Sequence, residues 1–261
     1  LGFFEGGISL RKKRTRRVVI GHRDIELFSY LYEVKAATAA QVKREIFSNV
    51  TRSVVYTRLK KLIHMNYIKR SLFFKDNRAI SAYSLSKTAL RKFIFSDREE
   101  HALKRSLSDS IVHDVALNDI RHKLLNCEQV IDYYSENVLN SSASFVTADE
   151  FKSFRKVHSD GMIMFKKGDD TFNVAIEYEH TLKYTQRYRD LFFRYMLERD
   201  IVAVLYICKD EKVLTRVTRA YEKSSTGNRE MIYFTTLDEF YSNPKKTIFR
   251  NPNGKDIVSI C

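Results

Sequence analysis

TRSVVYTRLKKLIHMNYIKRSLFFKDNRAISAYSLSKTALRKF, residues 51–93, shifts from a helical to a strand period near residue 66. That change decides the reading of the N-terminal part of the chain. Val55, Leu59, Leu62 and Ile63 recur at helical spacing behind Thr51, which opens the helix. The opposite side carries Arg52, Ser53, Tyr56, Thr57 and Lys60, groups that hydrogen-bond base edges or phosphates. Past Asn66-Tyr67-Ile68 the pattern becomes that of strands, 68–74 and 79–85, separated by Lys75-Asp76-Asn77-Arg78. This predicts a hairpin with a basic tip. Ser86 is placed to cap a closing helix over 87–95. Upstream, Ile25, Phe28, Leu31 and Tyr32 predict a first amphipathic helix. Thr38 opens a second, with Val42, Ile46 and Phe47 on its inner face.

The charge is unevenly spread. The chain of 261 residues carries a net +14. Residues 1–105 hold 24 Lys and Arg against 9 Asp and Glu, and the remainder holds 22 against 23. A basic excess confined to one segment suits a module that grips a polyanion. A solubilising surface bias is the plainer alternative, and for the 52/56/60 face a solvated helix side. Arg11, Lys12, Lys13, Arg14, Arg16 and Arg17 crowd into seven positions. They predict a flexible arm that lies along phosphates or enters a minor groove.

Beyond 105, strands and helices alternate, predicting an α/β layout with a mixed sheet. Helix 108–126 turns Ile111, Val115, Ile120 and Leu124 inward and leaves His113, Asp114, Asn118, Asp119, Arg121 and His122 on its polar side. Strands are expected at 144–147, 162–165, 172–179, 201–208, 231–235 and 257–260, with helices at 182–199 and 212–223. A turn centred between Gly168 and Asp169 sets Asp160 opposite Glu177. Alternation then gives Glu177 and Glu179 one face, and Val174, Ile176 and Tyr178 the other. Three carboxylates near one end of a hairpin suit Mg²⁺ or Mn²⁺, which activates a water for attack on phosphate. Acidic residues at strand ends also pair with nearby cations, here Lys183, Arg187 and Arg189. His113, His122, His158 and His180 are expected at the surface or behind the site rather than as ligands. Phe192, Phe193 and Tyr195 are expected in the core or at a dimer face.

The order of elements over 23–95 resembles winged helix-turn-helix domains, with Arg52, Ser53, Tyr56, Thr57 and Lys60 on the reading helix and Lys75 and Arg78 at the wing tip. Ser159-Asp160 and Glu177-Tyr178-Glu179 resemble the PD-(D/E)xK nuclease superfamily. Ser159 stands for the usual proline and Glu179 for the lysine, while Lys183 is one helical turn on. The resemblance implies Asp160, Glu177 and Glu179 as metal ligands, with Lys183 as a displaced catalytic ammonium. The domain order, with HDVALNDIRHKLL at 113–125 and AIEYEHTLKYTQRYRDLFFRY at 175–195, looks like the replication-relaxation proteins of plasmids and other mobile elements.

The expected organisation is an arm at 1–22, a winged helix at 23–105 and a nuclease-like α/β domain at 106–261. The expected partner is double-stranded DNA, bound by a homodimer, with replication or conjugation proteins beside it. Three functions compete: a DNA-binding regulator or accessory factor, a metal-dependent endonuclease, and a scaffold. Mg²⁺ or Mn²⁺ enters only if the nuclease-like centre is active, and no other cofactor is indicated. Cys127, Cys208 and Cys261 form no CxxC and are read without a disulfide framework; Cys127 and Cys208 are read as buried thiols. No apolar run reaches a membrane span, and the opening LGFFEGG lacks the charged lead of a secretory signal. A cytoplasmic location is expected.

Overall fold

The computed structural model describes residues 19–95, 107–141, 151–224, 231–252 and 257–258. The basic arm and the strand expected at 144–147 lie outside these residues. The first unit begins with α1 (His22–Val34), β1 (Ala37–Thr38), α2 (Ala39–Glu45) and α3 (Arg52–His64). It continues with β2 (Ile68–Lys75), β3 (Arg78–Leu85) and α4 (Lys87–Ala89), then a π-helical turn over Leu90–Ile94. Thr38 and Gln41 cap α2 reciprocally, Gln41 N donating to Thr38 Oγ1 at 3.2 Å and Thr38 N to Gln41 Oε1 at 2.8 Å. Asp76 and Asn77 both adopt positive φ, 50° and 60°, as a two-residue type I′ hairpin turn requires. Ser86 Oγ accepts from Ala89 N at 3.1 Å, capping α4 as expected. Val55, Leu59 and Leu62 of α3 are buried with Leu27, Phe28 and Leu31 of α1.

One expectation for α1 fails. Ile25 is 41% exposed, while Asp24 and Leu27 are buried. Asp24 turns inward because Arg58 of α3 meets it, Nε to Oδ1 at 2.7 Å with a second contact from Nη2 to Oδ2. That ion pair sets the helix's rotation, so its buried positions are 24, 27, 28, 30, 31 and 34. The short β1, also unforeseen, pairs antiparallel with β3 and gives a sheet of order β1-β3-β2.

The second unit is mixed α/β. Its strands are β4 (Val130–Ser135), β5 (Gly161–Lys167), β6 (Asp170–Glu179), β7 (Ala203–Cys208), β8 (Ile232–Thr236), β9 (Phe249–Arg250) and β10 (Ile257–Val258). They form one sheet in the order β10-β9-β8-β7-β6-β5-β4. β6, β7 and β8 run parallel, and the other described neighbours pair antiparallel. β4 and β9 were not foreseen. The helices are α5 (Ile111–Leu124), α6 (Glu136–Leu139), α7 (Lys152–Val157), α8 (Thr185–Leu197), α9 (Glu211–Glu222) and α10 (Leu237–Ser242). α7, α8 and α9 pack on one face of the sheet, around Phe192, Tyr206, Val217 and Phe234. α5 and α10 pack on the other, around Ile120, Leu124, Ile176, Leu205 and Phe240. The central strands are therefore buried on both sides, and their runs are apolar rather than alternating.

α5 also joins the two units. Its polar side meets the first unit. Asn118 Nδ2 donates to Tyr30 Oη at 2.7 Å, Arg121 Nε to Glu33 Oε1 at 2.8 Å, and Arg44 Nη1 to Asp119 Oδ1 at 3.0 Å. Val115 packs with Ala36, Phe73 and Ala82. Cys208 is free and buried, whereas Cys127 is buried but disulfide-bonded, against the expectation of a thiol. No helix among the described residues is long and apolar enough to cross a membrane.

Candidate functional site

Two regions bring the expected site residues together. The first is the open side of α3. Its apolar stripe docks on α1, so Arg52, Ser53, Tyr56, Thr57 and Lys60 are turned outward and all are exposed. Arg52 Nη2 donates to Tyr56 Oη at 3.1 Å, and its guanidinium lies 5.5 Å from the Tyr56 ring centre. The pair stiffens two long side chains in a ready geometry. Lys75 and Arg78 face each other on the last rung of the β2–β3 hairpin, and both are exposed. The hairpin adjoins α3, because Ile68 and Tyr83 are buried in the same core as Val55 and Leu59.

The cations of this surface differ from those that face the second unit. Among the described residues Arg52, Lys60, Lys75 and Arg78 have no carboxylate partner, whereas Lys35 meets Glu136 at 2.5 Å and Arg44 meets Asp119 at 3.0 Å. Unpaired cations beside a tyrosine and two hydroxyls leave this face able to meet a polyanion. Arg11, Lys12, Lys13, Arg14, Arg16 and Arg17 lie outside the described residues.

The second region is the end of the β5–β6 hairpin. Gly161 pairs with Ile176 and Lys167 with Asp170, the register expected from the sequence, and continuing it sets Asp160 opposite Glu177. Gly161 has no room for a side chain, because a Cβ there would stand 2.3 Å from Tyr133 Oη. Asp160 Oδ2 accepts from Tyr178 N at 2.8 Å and meets His113 Nε2 at 3.3 Å. His113 Nδ1 lies 3.1 Å from Asp114 Oδ1. Burial opposes a charge on His113, but Asp160 and Asp114 outweigh it and hold its pKa up at about 11. Burial likewise works against the Asp160 carboxylate, yet His113 and the Tyr178 amide keep it below the ordinary range. Glu177 moves the other way, raised well above the usual carboxylate value by burial and then by the charge of Asp160.

The environments of the three carboxylates explain why they do not gather round one ion. Glu177 Oε1 accepts from the buried Tyr195 hydroxyl. Glu179 Oε2 accepts from Tyr206 Oη at 3.0 Å, and its Oε1 lies 3.1 Å from Lys183 Nζ. Lys183 is an ion-pair partner of Glu179, one of the two roles the sequence offered for it. Each carboxylate is committed to neighbours of its own. Among the described residues no three His, Cys, Asp or Glu side chains form a group that holds a metal ion. The expectation that Asp160, Glu177 and Glu179 converge on Mg²⁺ or Mn²⁺ does not fit this arrangement.

His113 lies behind the carboxylate end, within the range expected of it, but its partners were not foreseen. It is half-buried and bridges α5 to the carboxylate end of β5–β6. The available signal was the spacing of Asp114, Asn118 and Arg121, which share one side of α5 beside Val115. His122 pairs with Glu45 at 2.9 Å, His180 contacts the Tyr178 hydroxyl at 3.1 Å, and His158 is exposed. Phe192 and Tyr195 are core residues, but Phe193 is exposed. A cleft of about 320 Å³ opens between the units, lined by Glu33, Lys35, His113, Asp114, Asp160 and Lys183 among others. Comparison with family models, curated proteins and solved structures gave no match.

Proposed function

We propose that the protein binds duplex DNA through its first unit, acting as a winged helix whose reading helix is α3. The observation that carries this is the outward face of Arg52, Ser53, Tyr56, Thr57 and Lys60, whose cations have no carboxylate partner and which adjoins a basic hairpin. Arg and Ser or Thr at the N-terminal half of such a helix meet base edges in a major groove, and Lys75 and Arg78 meet phosphates. The likeness to replication-relaxation proteins extends the proposal to work for a plasmid or mobile element. That work is replication, mobilisation or transcriptional control, performed by a homodimer alongside replication or conjugation proteins.

Titrating the chain with duplexes selected from a random pool, over a salt series, tests this. Affinity should fall steeply with salt, because phosphate contacts release counterions. Arg52→Ala and Tyr56→Ala should each cost about 1–3 kcal/mol on the selected sequence and relax discrimination there. Lys75→Ala and Arg78→Ala should weaken all sequences alike and lower the salt slope by about one each. Weak binding that ignores salt would overturn the reading.

For the second unit we propose a nuclease-like layout whose chemistry is lost. Tyr195, Tyr206 and Lys183 already occupy the oxygens of Glu177 and Glu179 that a cation would need. The competing reading is a metal-dependent endonuclease using Asp160, Glu177 and Glu179. Duplex and single-stranded DNA incubated with Mg²⁺ or Mn²⁺ should be left intact. Cutting that Glu177→Ala abolishes, while binding persists, would establish the endonuclease instead.

A further inference from the structure

Five buried side-chain atoms among the described residues have no hydrogen-bond partner, and three of them belong to one place. Asp114 Oδ2, Asn118 Oδ1 and Tyr133 Oη are carried by residues that line the cleft between the units. Those residues are 7%, 2% and 4% exposed. A stranded polar atom costs free energy, and native folds leave few of them. Three around one cavity of about 320 Å³ call for a ligand that completes them.

Two elements build this floor. Asp114 and Asn118 stand one turn apart on α5, so their side chains share a stripe of the helix. Asp114 Oδ1 lies 3.1 Å from His113 Nδ1, and Asn118 Nδ2 donates to Tyr30 Oη at 2.7 Å. These bonds fix both side chains and leave one oxygen of each without a donor. Tyr133 comes from β4, and its ring tip is set against Gly161. Burial, and then the charge of Asp160, push its pKa up, so the hydroxyl stays neutral.

What these atoms lack is hydrogen. Each can accept a hydrogen bond, and a primary ammonium offers three N–H donors and no acceptor. The half-used carboxylate of Asp114 supplies its countercharge. At the mouth, Arg187 lines the same cleft, is exposed, and has no carboxylate partner among the described residues. It is free to meet an anion. Around the whole wall the charges balance, with five acidic and five basic side chains when protonated His113 is counted. A polyamine would leave Arg187 unmet, and a phosphate would face the carboxylates and leave the three acceptors unmet. A zwitterion answers both ends. The volume equals that of about ten water molecules, which suits a free amino acid.

We propose that this cleft binds a free α-amino acid, its ammonium on Asp114, Asn118 and Tyr133 and its carboxylate toward Arg187. Val34 and Lys35 of the first unit form part of the wall, so the ligand touches both units. The three acceptor atoms are shut from bulk water. Binding therefore includes a small turn of their side chains toward the ammonium, offset by the bonds they gain.

Calorimetric titration of the full chain with each of the twenty amino acids in turn tests this. Putrescine and acetate serve as arms that carry only one of the two charges. One amino acid, or a few of related shape, should bind more tightly than either arm. Asp114→Asn should weaken that binding about tenfold, the loss expected of a charge-assisted hydrogen bond. Arg187→Ala, at an exposed position, should weaken it similarly without disturbing the fold. Tyr133→Phe gives the sharpest contrast. It removes a hydroxyl that has no partner, so the thermal midpoint without ligand should hold or rise while amino-acid binding weakens severalfold. If no amino acid binds, or if binding is unchanged in both Arg187→Ala and Tyr133→Phe, the assignment falls. Putrescine binding as tightly as any amino acid would overturn it in favour of a plain amine site. A lowered midpoint in Tyr133→Phe would show that the hydroxyl serves the fold, which also counts against the ligand.

Discussion

Arg58→Ala is expected to cost the first unit about 3–5 kcal/mol of stability, although Arg58 sits on the same helix as the exposed Arg52 and Lys60. Its guanidinium grips both oxygens of Asp24 and donates from Nη2 to Val19 O at 2.8 Å. Asp24 is almost fully buried, and its remaining capacity is spent on Gly21 N at 2.8 Å. The hydrogen bond with Asp24 outweighs the desolvation of Arg58 and raises its pKa further above an already high value. Removing the arginine strands a carboxylate in a low-dielectric setting, and that cost approaches the whole stability of a small domain. Lysine restores the charge but not the two-pronged geometry, so Arg58→Lys should recover only part of the loss. Replacing both partners, as in Asp24→Leu with Arg58→Met, removes the stranded charge and should recover most of it. Urea denaturation of the single and double variants checks this. A cost below about 1 kcal/mol for Arg58→Ala would mean that solvent screens the pair.

The same ion pair shows where the sequence was legible and where it was not. Periods were readable. Val55, Leu59 and Leu62 turned out buried, and the β5–β6 register followed from one turn at Gly168. Both depend on neighbours in the chain, which a sequence displays. Charged residues facing inward were not readable, because an arginine that pays for a buried aspartate looks like one that faces water. Asp24 therefore rotated α1 away from the expected stripe, and Ile25 went outside. The partners of the polar side of α5 were not readable for the same reason, since Tyr30, Glu33 and Arg44 lie more than seventy positions upstream. The carboxylates fall between these cases. Their common end of the sheet came from alternation. Their separate partners Tyr195 and Tyr206 come from α8 and β7, which only the tertiary structure brings near.

His113 and Asp160 should give the stability of the protein a distinctive pH profile. The folded pKa of His113, about 11, lies above its ordinary value near 6.5. The folded chain thus holds a proton that the unfolded chain releases. Its contribution is complete below pH about 6.5 and is lost as pH rises from there through about 11. Asp160 runs the opposite way. Its pKa is lowered from 3.8, so its contribution is present above that value and is lost as pH falls through the lowered one. The pair therefore stabilises most between pH about 4 and 6.5. Asp160→Asn should cost about 3–5 kcal/mol in that window, because protonated His113 loses its charged partner and the Tyr178 amide loses a carboxylate acceptor. The difference from wild type should shrink as pH climbs past 8, where an uncharged His113 is progressively less costly to the variant. His113→Gln should flatten the alkaline limb as well, while retaining a side chain that can donate to Asp160. Denaturation midpoints measured from pH 4 to 10 provide the comparison, over a range set by these two groups. A variant deficit that stays constant across it would show that Asp160 holds this end of the sheet by hydrogen bonding alone, with no charge on His113.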